Sequence, residues 1–152
     1  MSTTPLKGSC LCGNVKLTLK GNPVKVMTCY CVHCQKSGSA PYQTNAIFPT
    51  DQIEIDDPQG FIKMYTVPKE EIDSGFEKQK YFCSNCGCPL FNRPMKHQGT
   101  KTVVKTGILD APAGSGIPGS EVLKPAVEIF TKDRASYVAP IEGCAQFEKA
   151  AS

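Results

Sequence analysis

The chain has 152 residues, 40% of them hydrophobic and 20% charged, with a net charge of +3. That length suits one domain with one substantial core, and the composition is that of a globular rather than a disordered chain. The mild, scattered charge makes no case for nucleic acid, no apolar run approaches a membrane span, and no apolar signal core opens the chain, so a cytoplasmic protein with no membrane partner is expected.

Residues 1–7 read as a loose start. Over 14–20, Val15, Leu17 and Leu19 alternate with polar neighbours, the two-residue period of a half-buried strand. Gly21, Asn22 and Pro23 mark a turn, and 24–28 reads as a second strand running into a cysteine cluster. Residues 37–42 are small and turn-rich. Strands are expected over 43–48, 52–55 and 61–67, followed by an acidic, polar loop over 69–75. A short strand over 78–82 leads into another cysteine cluster, 89–91 leaves it, and 102–106 forms a buried strand. The run 111–120, rich in Gly, Pro, Ala and Ser, reads as a flexible connection. A late strand over 126–131 and a tail over 145–152 complete the chain. With 13 Gly and 12 Pro, the pattern is mainly β, with many short strands, abundant turns and little helix.

Nine cysteines cannot all pair within one chain. In a reducing compartment such thiols stay free or hold metal. They form three clusters: Cys10-x-Cys12, Cys29-x-Cys31-x-x-Cys34 and Cys83-x-x-Cys86. A Cys-x-x-Cys pair brings two thiolates to one ion from a tight turn, each sulfur about 2.3 Å from zinc, and Gly87 after the last pair suits the backbone of such a knuckle. Two pairs far apart in sequence make one closed tetrahedral site, assigned to Cys10, Cys12, Cys83 and Cys86. Buried free thiols or a redox dithiol are the competing reading. Cys29, Cys31 and Cys34 supply three ligands and leave a fourth position open, the mark of a catalytic zinc. Against it stands a second structural zinc with a fourth ligand from a distant loop. His33 would strain a very short loop if it joined the same ion, and reads as a polar neighbour. Cys88 reads as a non-ligand thiol and Cys144 as a small buried apolar residue. Three thiolates around Zn2+ make a negative centre, a weak Lewis acid toward water. It suits an incoming thiol held as a thiolate, ready to attack a small electrophile such as an aldehyde.

The segments Gly8-Ser-Cys-Leu-Cys-Gly13, Cys29-Tyr-Cys-Val-His-Cys-Gln-Lys-Ser-Gly38 and Phe82-Cys-Ser-Asn-Cys-Gly87 stand in that order. They resemble the glutathione-dependent formaldehyde-activating enzyme family, or CENP-V/GFA domain, as do Gly107-Ile-Leu-Asp110 and Lys124-Pro-Ala-Val-Glu-Ile-Phe130. The resemblance spans 6–148 and implies one domain there, with loose termini at 1–5 and 149–152. It implies an Mss4-like fold of short antiparallel sheets around zinc knuckles. It implies two zinc ions, a structural one on Cys10, Cys12, Cys83 and Cys86 and a catalytic one on Cys29, Cys31 and Cys34. The activity implied is carbon–sulfur lyase chemistry, the reversible formation of S-(hydroxymethyl)glutathione from glutathione and formaldehyde. Cys88 stands where the family often has Ser or Thr, and Tyr137 where it usually has Trp.

Three functions follow. The first is a lyase acting on glutathione or another thiol with a small electrophile. The second is a non-catalytic, zinc-stabilised module binding protein or nucleic acid, with Lys96, His97, Lys101 and Lys105 as a small basic patch. The third is a pathway enzyme using the same site on a larger thioether or carbonyl compound. Beside the three-cysteine cluster, Lys36 meets a substrate carboxylate or stays solvated, and Ser37 and Gly38 donate backbone N–H groups or form a plain turn. The oligomeric state stays open.

Overall fold

The alternation around Leu17 and Leu19 buries both residues and leaves Lys16 in solvent, which gives a one-faced strand that needs a partner layer. In the computed structural model, which describes residues 4–151, that layer is a second sheet. The smaller sheet runs β1 (Leu6–Ser9), β2 (Lys16–Leu19), β5 (Ile53–Asp56), antiparallel throughout. The larger has eight strands. In spatial order they are β11 (Ala145–Gln146), β10 (Val127–Ile129), β3 (Lys25–Cys29), β4 (Gln43–Pro49), β9 (Lys101–Lys105), β8 (Pro89–Pro94), β7 (Lys78–Cys83) and β6 (Ile62–Val67).

The mainly β character expected from the sequence is present. The large sheet is mixed rather than antiparallel, because β10 lies parallel to β3, and β11 parallel to β10. Strands so distant in sequence are free of the hairpin geometry that enforces antiparallel pairing.

Register decides what each face of the large sheet carries. Ala46 opposes Val104, and Val104 opposes Phe91, so these side chains share a face. They join Phe48, Leu17, Leu19 and Leu90 in the main core between the sheets. Each of the Val, Leu and Phe side chains contributes about 1.5–3 kcal/mol on burial. On the opposite face Cys29 opposes Gln43, Met27 opposes Asn45, and Asn45 opposes Lys105. There a second, smaller cluster gathers Met27, Cys29, Cys34 and Ile129. Across it lies the chain's one α-helix among the described residues, α1 (Val32–Gly38).

Four local expectations are corrected. The loose start over 1–7 becomes β1 from Leu6 onward, because Leu6–Ser9 pairs residue for residue with β2; residues 1–3 lie outside the described residues. The turn-rich reading of 37–42 begins inside α1, a helix too short to show a period. The tail over 145–152 contributes β11, and Phe147 packs on the second cluster; residue 152 lies outside the described residues. The connection over 111–120 is exposed across 112–118 but is pinned at Gly119, where an added Cβ would stand 1.6 Å from the backbone oxygen of Leu109.

Candidate metal centres and the cleft beside them

Cys10 and Cys12 lie on the turn from β1 to β2, Cys83 ends β7, and Cys86 lies on the turn into β8. Their four Sγ atoms lie within 4.8 Å of one another. Cys10 and Cys12 are 3.5 Å apart, and Cys12 and Cys83 are 3.9 Å apart. Four sulfurs on a tetrahedral zinc stand about 3.8 Å apart, so the group fits the ion, whereas a disulfide needs about 2 Å. All nine cysteines are free of disulfides. The Val15 N–H donates to Cys10 Sγ at 3.4 Å, and Asn14 Nδ2 donates to Cys12 Sγ at 3.3 Å. The Gly87 N–H closes the other knuckle onto the Cys83 carbonyl at 2.7 Å, at a φ of +77° that glycine adopts without strain. The side-chain hydrogen bond from Asn85, with those from Asn14, brings Cys12 down to about 6. Burial lifts Cys83 to about 11. A cation between thiols this unequal favours the ionised form of both.

The second group is built differently. Cys29 ends β3, and Tyr30 is fully buried. Cys31 caps α1, its Sγ accepting from the Cys34 N–H at 3.4 Å, and Cys34 sits buried in the first turn. The three Sγ atoms lie within 4.8 Å of one another, and His33 is not among them. Tyr30 holds the segment in place. Its hydroxyl donates to Glu128 on β10, which also accepts from the Ile141 N–H at 2.9 Å and from Arg134 at 3.2 Å. The Arg134 guanidinium lies 4.7 Å from the centre of the Tyr30 ring. Gln35 Nε2 donates to the Tyr30 carbonyl at 2.6 Å. Hydrogen bonding with Cys31 and Cys34 keeps the proton on Cys29, whose thiol is raised. The same bonds, from Cys29 and Cys31, pull Cys34 well below the usual range, assisted against burial by Lys105 and Lys78.

Those lysines correct the sequence reading. Lys105, which the binding-module reading placed in a small basic patch with Lys96, His97 and Lys101, is only 5% exposed. Its Nζ donates to Asn45 Oδ1 at 3.1 Å, and Asn92 offers a second amide oxygen at 3.1 Å when its amide faces the ammonium. Asn45 in turn points Nδ2 at Cys34 Sγ, 3.8 Å away. A chain of polar contacts therefore runs from the sulfur to a buried ammonium. Burial depresses Lys105, while the Cys34 charge supports it. Lys36 is exposed on α1, so the cations close to the sulfurs come from the sheet. Cys88 stays outside the four-sulfur group, with its Sγ 3.5 Å from the Pro89 carbonyl. Cys144 is half-buried rather than buried, its Sγ donating to the Pro125 carbonyl at 3.3 Å.

Two cavities open at the C-terminal end of α1, one turn beyond Cys34. The larger, about 340 Å³, is bounded by Gly38, Gln43, Thr44, Cys88, Lys105 and Thr106. The smaller, about 230 Å³, is bounded by Ser37, Tyr65, Lys80, Gly87 and Asn92, and Pro89 borders both. Among the described residues no helix is long and apolar enough to cross a membrane.

The crystal structure of a Rhodobacter sphaeroides protein is similar, with a TM-score of 0.55 and 16% identity, covering 78% of this chain and 96% of that one. At that identity the likeness concerns the fold alone. Among curated proteins none matches the chain. The family model described as glutathione-dependent formaldehyde-activating enzyme matches residues 5–133, a span that takes in both sulfur groups and both cavities' strands. The chain therefore belongs to the glutathione-dependent formaldehyde-activating enzyme family.

Proposed function

We propose that the protein is a zinc-dependent carbon–sulfur lyase, cytoplasmic and folded as one domain over 6–148, that joins glutathione or another small thiol to formaldehyde or a related small electrophile. The observation that carries this reading is the three-sulfur group. It lacks a fourth ligating side chain among the described residues and sits beside a lysine-lined cleft. Cys10, Cys12, Cys83 and Cys86 would hold a structural zinc, and Cys29, Cys31 and Cys34 a catalytic one. Bound in the open site, zinc supplies a soft Lewis acid that keeps an incoming thiol ionised and nucleophilic.

The chain's own residues account for the rest. Tyr30, locked by Glu128 and Gln35, fixes the spacing of Cys29 and Cys31. Asn45 orients Cys34 and hands the local negative charge on to Lys105. The larger cavity admits a small aldehyde beside the substrate sulfur. The sulfur adds to the carbonyl carbon, the S–C bond forms as the C=O π bond opens, and the oxygen takes up from solvent the proton that the thiol gave up on ionising. Lys105, in the cavity wall, stabilises the charge that develops on that oxygen. The reverse reaction breaks the same S–C bond and restores thiol and aldehyde.

Calorimetric titration of the zinc-loaded protein tests the reading. Glutathione is expected to bind at least tenfold more tightly than S-methylglutathione, which keeps the tripeptide and lacks the ionisable sulfur. In Cys34→Ser that preference is expected to vanish. Equal binding of the two ligands to the wild type would make the three-sulfur group a bystander.

A further inference from the structure

Lys80 differs from Lys105 in one respect. Both stand on the face of the large sheet that carries the three-sulfur group, since Lys80 opposes Asn92 across β7 and β8. Lys105 has its amide partners. The Nζ of Lys80 is buried and makes no hydrogen bond among the described residues. It borders the smaller cavity, and none of the residues bounding that cavity is acidic. Lys105 and Lys78 lie near enough to repel it, and Cys34 and Cys31 near enough to attract it. A buried ammonium with no partner is costly, and in a native fold it calls for an explanation, one being a bound group that completes it. The groups around it suit an anion. Ser37, whose Oγ donates to the His33 carbonyl, and the amide of Asn92 also border the cavity. Tyr65 closes the cavity from β6. Ser37 also places the cavity one helical turn from Cys34, so an anion there and a sulfur at the thiol group can belong to one small molecule.

We propose that Lys80, with the Asn92 amide, forms a carboxylate subsite that selects anionic thiols over neutral ones. This rests on the thiol-binding reading above for its choice of substrate class. The carboxylate binds without any bond being made or broken: its charge meets the Lys80 ammonium, and its oxygens accept from that ammonium and from the Asn92 amide. A thiol that carries a carboxylate a few bonds from its sulfur spans the two positions. A neutral thiol of the same size lacks the second anchor.

Calorimetric titration of wild type, Lys80→Gln, Lys80→Arg and Cys34→Ser with three probes tests the subsite. The probes are glutathione, S-methylglutathione and glutathione diethyl ester. Lys80→Gln is expected to weaken glutathione and S-methylglutathione at least tenfold and to leave the ester unchanged. Lys80→Arg, which keeps the charge, is expected to retain most of the affinity, and circular dichroism of each variant reports its folding. Undiminished glutathione binding in Lys80→Gln overturns the subsite while leaving the thiol reading intact. So does an equal loss for glutathione and its ester. If Cys34→Ser binds glutathione as well as wild type while Lys80→Gln still weakens S-methylglutathione, the subsite stands and the thiol reading falls. Failure of the wild type to bind any of the three overturns both.

Discussion

Two lysines on the same face of the sheet, with one strand between theirs, illustrate what a buried charge costs. Lys105 is tied to Asn45 and Asn92, so its removal would orphan two buried amides. Lys105→Met is expected to destabilise by about 1–3 kcal/mol. Lys80 has no such ties, and burial first, then Lys105 and Lys78, brings it from 10.5 down to about 8. A depressed lysine means that the fold disfavours its charged form. The penalty is complete below about pH 8, where both folded and unfolded chains hold the proton. It fades between about 8 and 10.5 and is gone once both have lost it. Lys80→Met is therefore expected to raise stability at pH 7 by about 1 kcal/mol, or roughly 2–4 °C in Tm. That advantage should shrink steadily toward pH 10. Paired thermal melts of wild type and variant at both pH values measure the difference, free of other titrating groups to first order. A gain in stability with a loss in ligand affinity is the pattern of a residue kept for binding.

At the scale of elements, the contact between Gly119 and Leu109 ties the proline- and glycine-rich connection to the strand region that bounds the larger cavity. The atom that an added Cβ would meet is backbone oxygen, which no rotamer change can move. Gly119→Ala is expected to lower stability by about 3 kcal/mol. Gly107→Ala, where an added Cβ meets nothing within 4 Å, serves as the tolerant control in the same thermal melts. This contact was not legible in the sequence, where 111–120 shows only composition. The strands around Leu17, Ala46 and Val104 were legible, because each buries one face and advertises it by alternation or by an apolar run. So was the grouping of seven cysteines, because knuckle spacing is local. What escaped depends on distant partners. β1 and β11 exist only by pairing with strands already formed, and α1 has too few residues to show a helical period. The burial of the strand around Lys105 was legible, but its partners were not, because nothing in that strand announces that Asn45 and Asn92 wait beside it.

For the molecule as a whole, the two sulfur groups differ in what they join. Cys10 and Cys12 belong to the small sheet and Cys83 and Cys86 to the large one, so this group links the two layers around the main core. A structural zinc there contributes on the order of 10 kcal/mol, comparable to the whole stability of a typical domain. Cys29, Cys31 and Cys34 lie within six residues of one another on one face of a single sheet, and their segment is anchored independently by Tyr30 and Glu128. Metal analysis of protein purified without chelator is expected to give two zinc ions per chain. Cys83→Ser is expected to be insoluble or to lose its cooperative melt. Cys34→Ser is expected to stay folded with one zinc remaining, and mild chelation of the wild type should remove the ion held by only three sulfurs first, without unfolding. Circular dichroism and zinc content followed together through a chelator titration separate the two events. If both cysteine variants unfold alike, the three-sulfur group is holding the fold together as well, and a catalytic assignment would then need support from ligand binding alone.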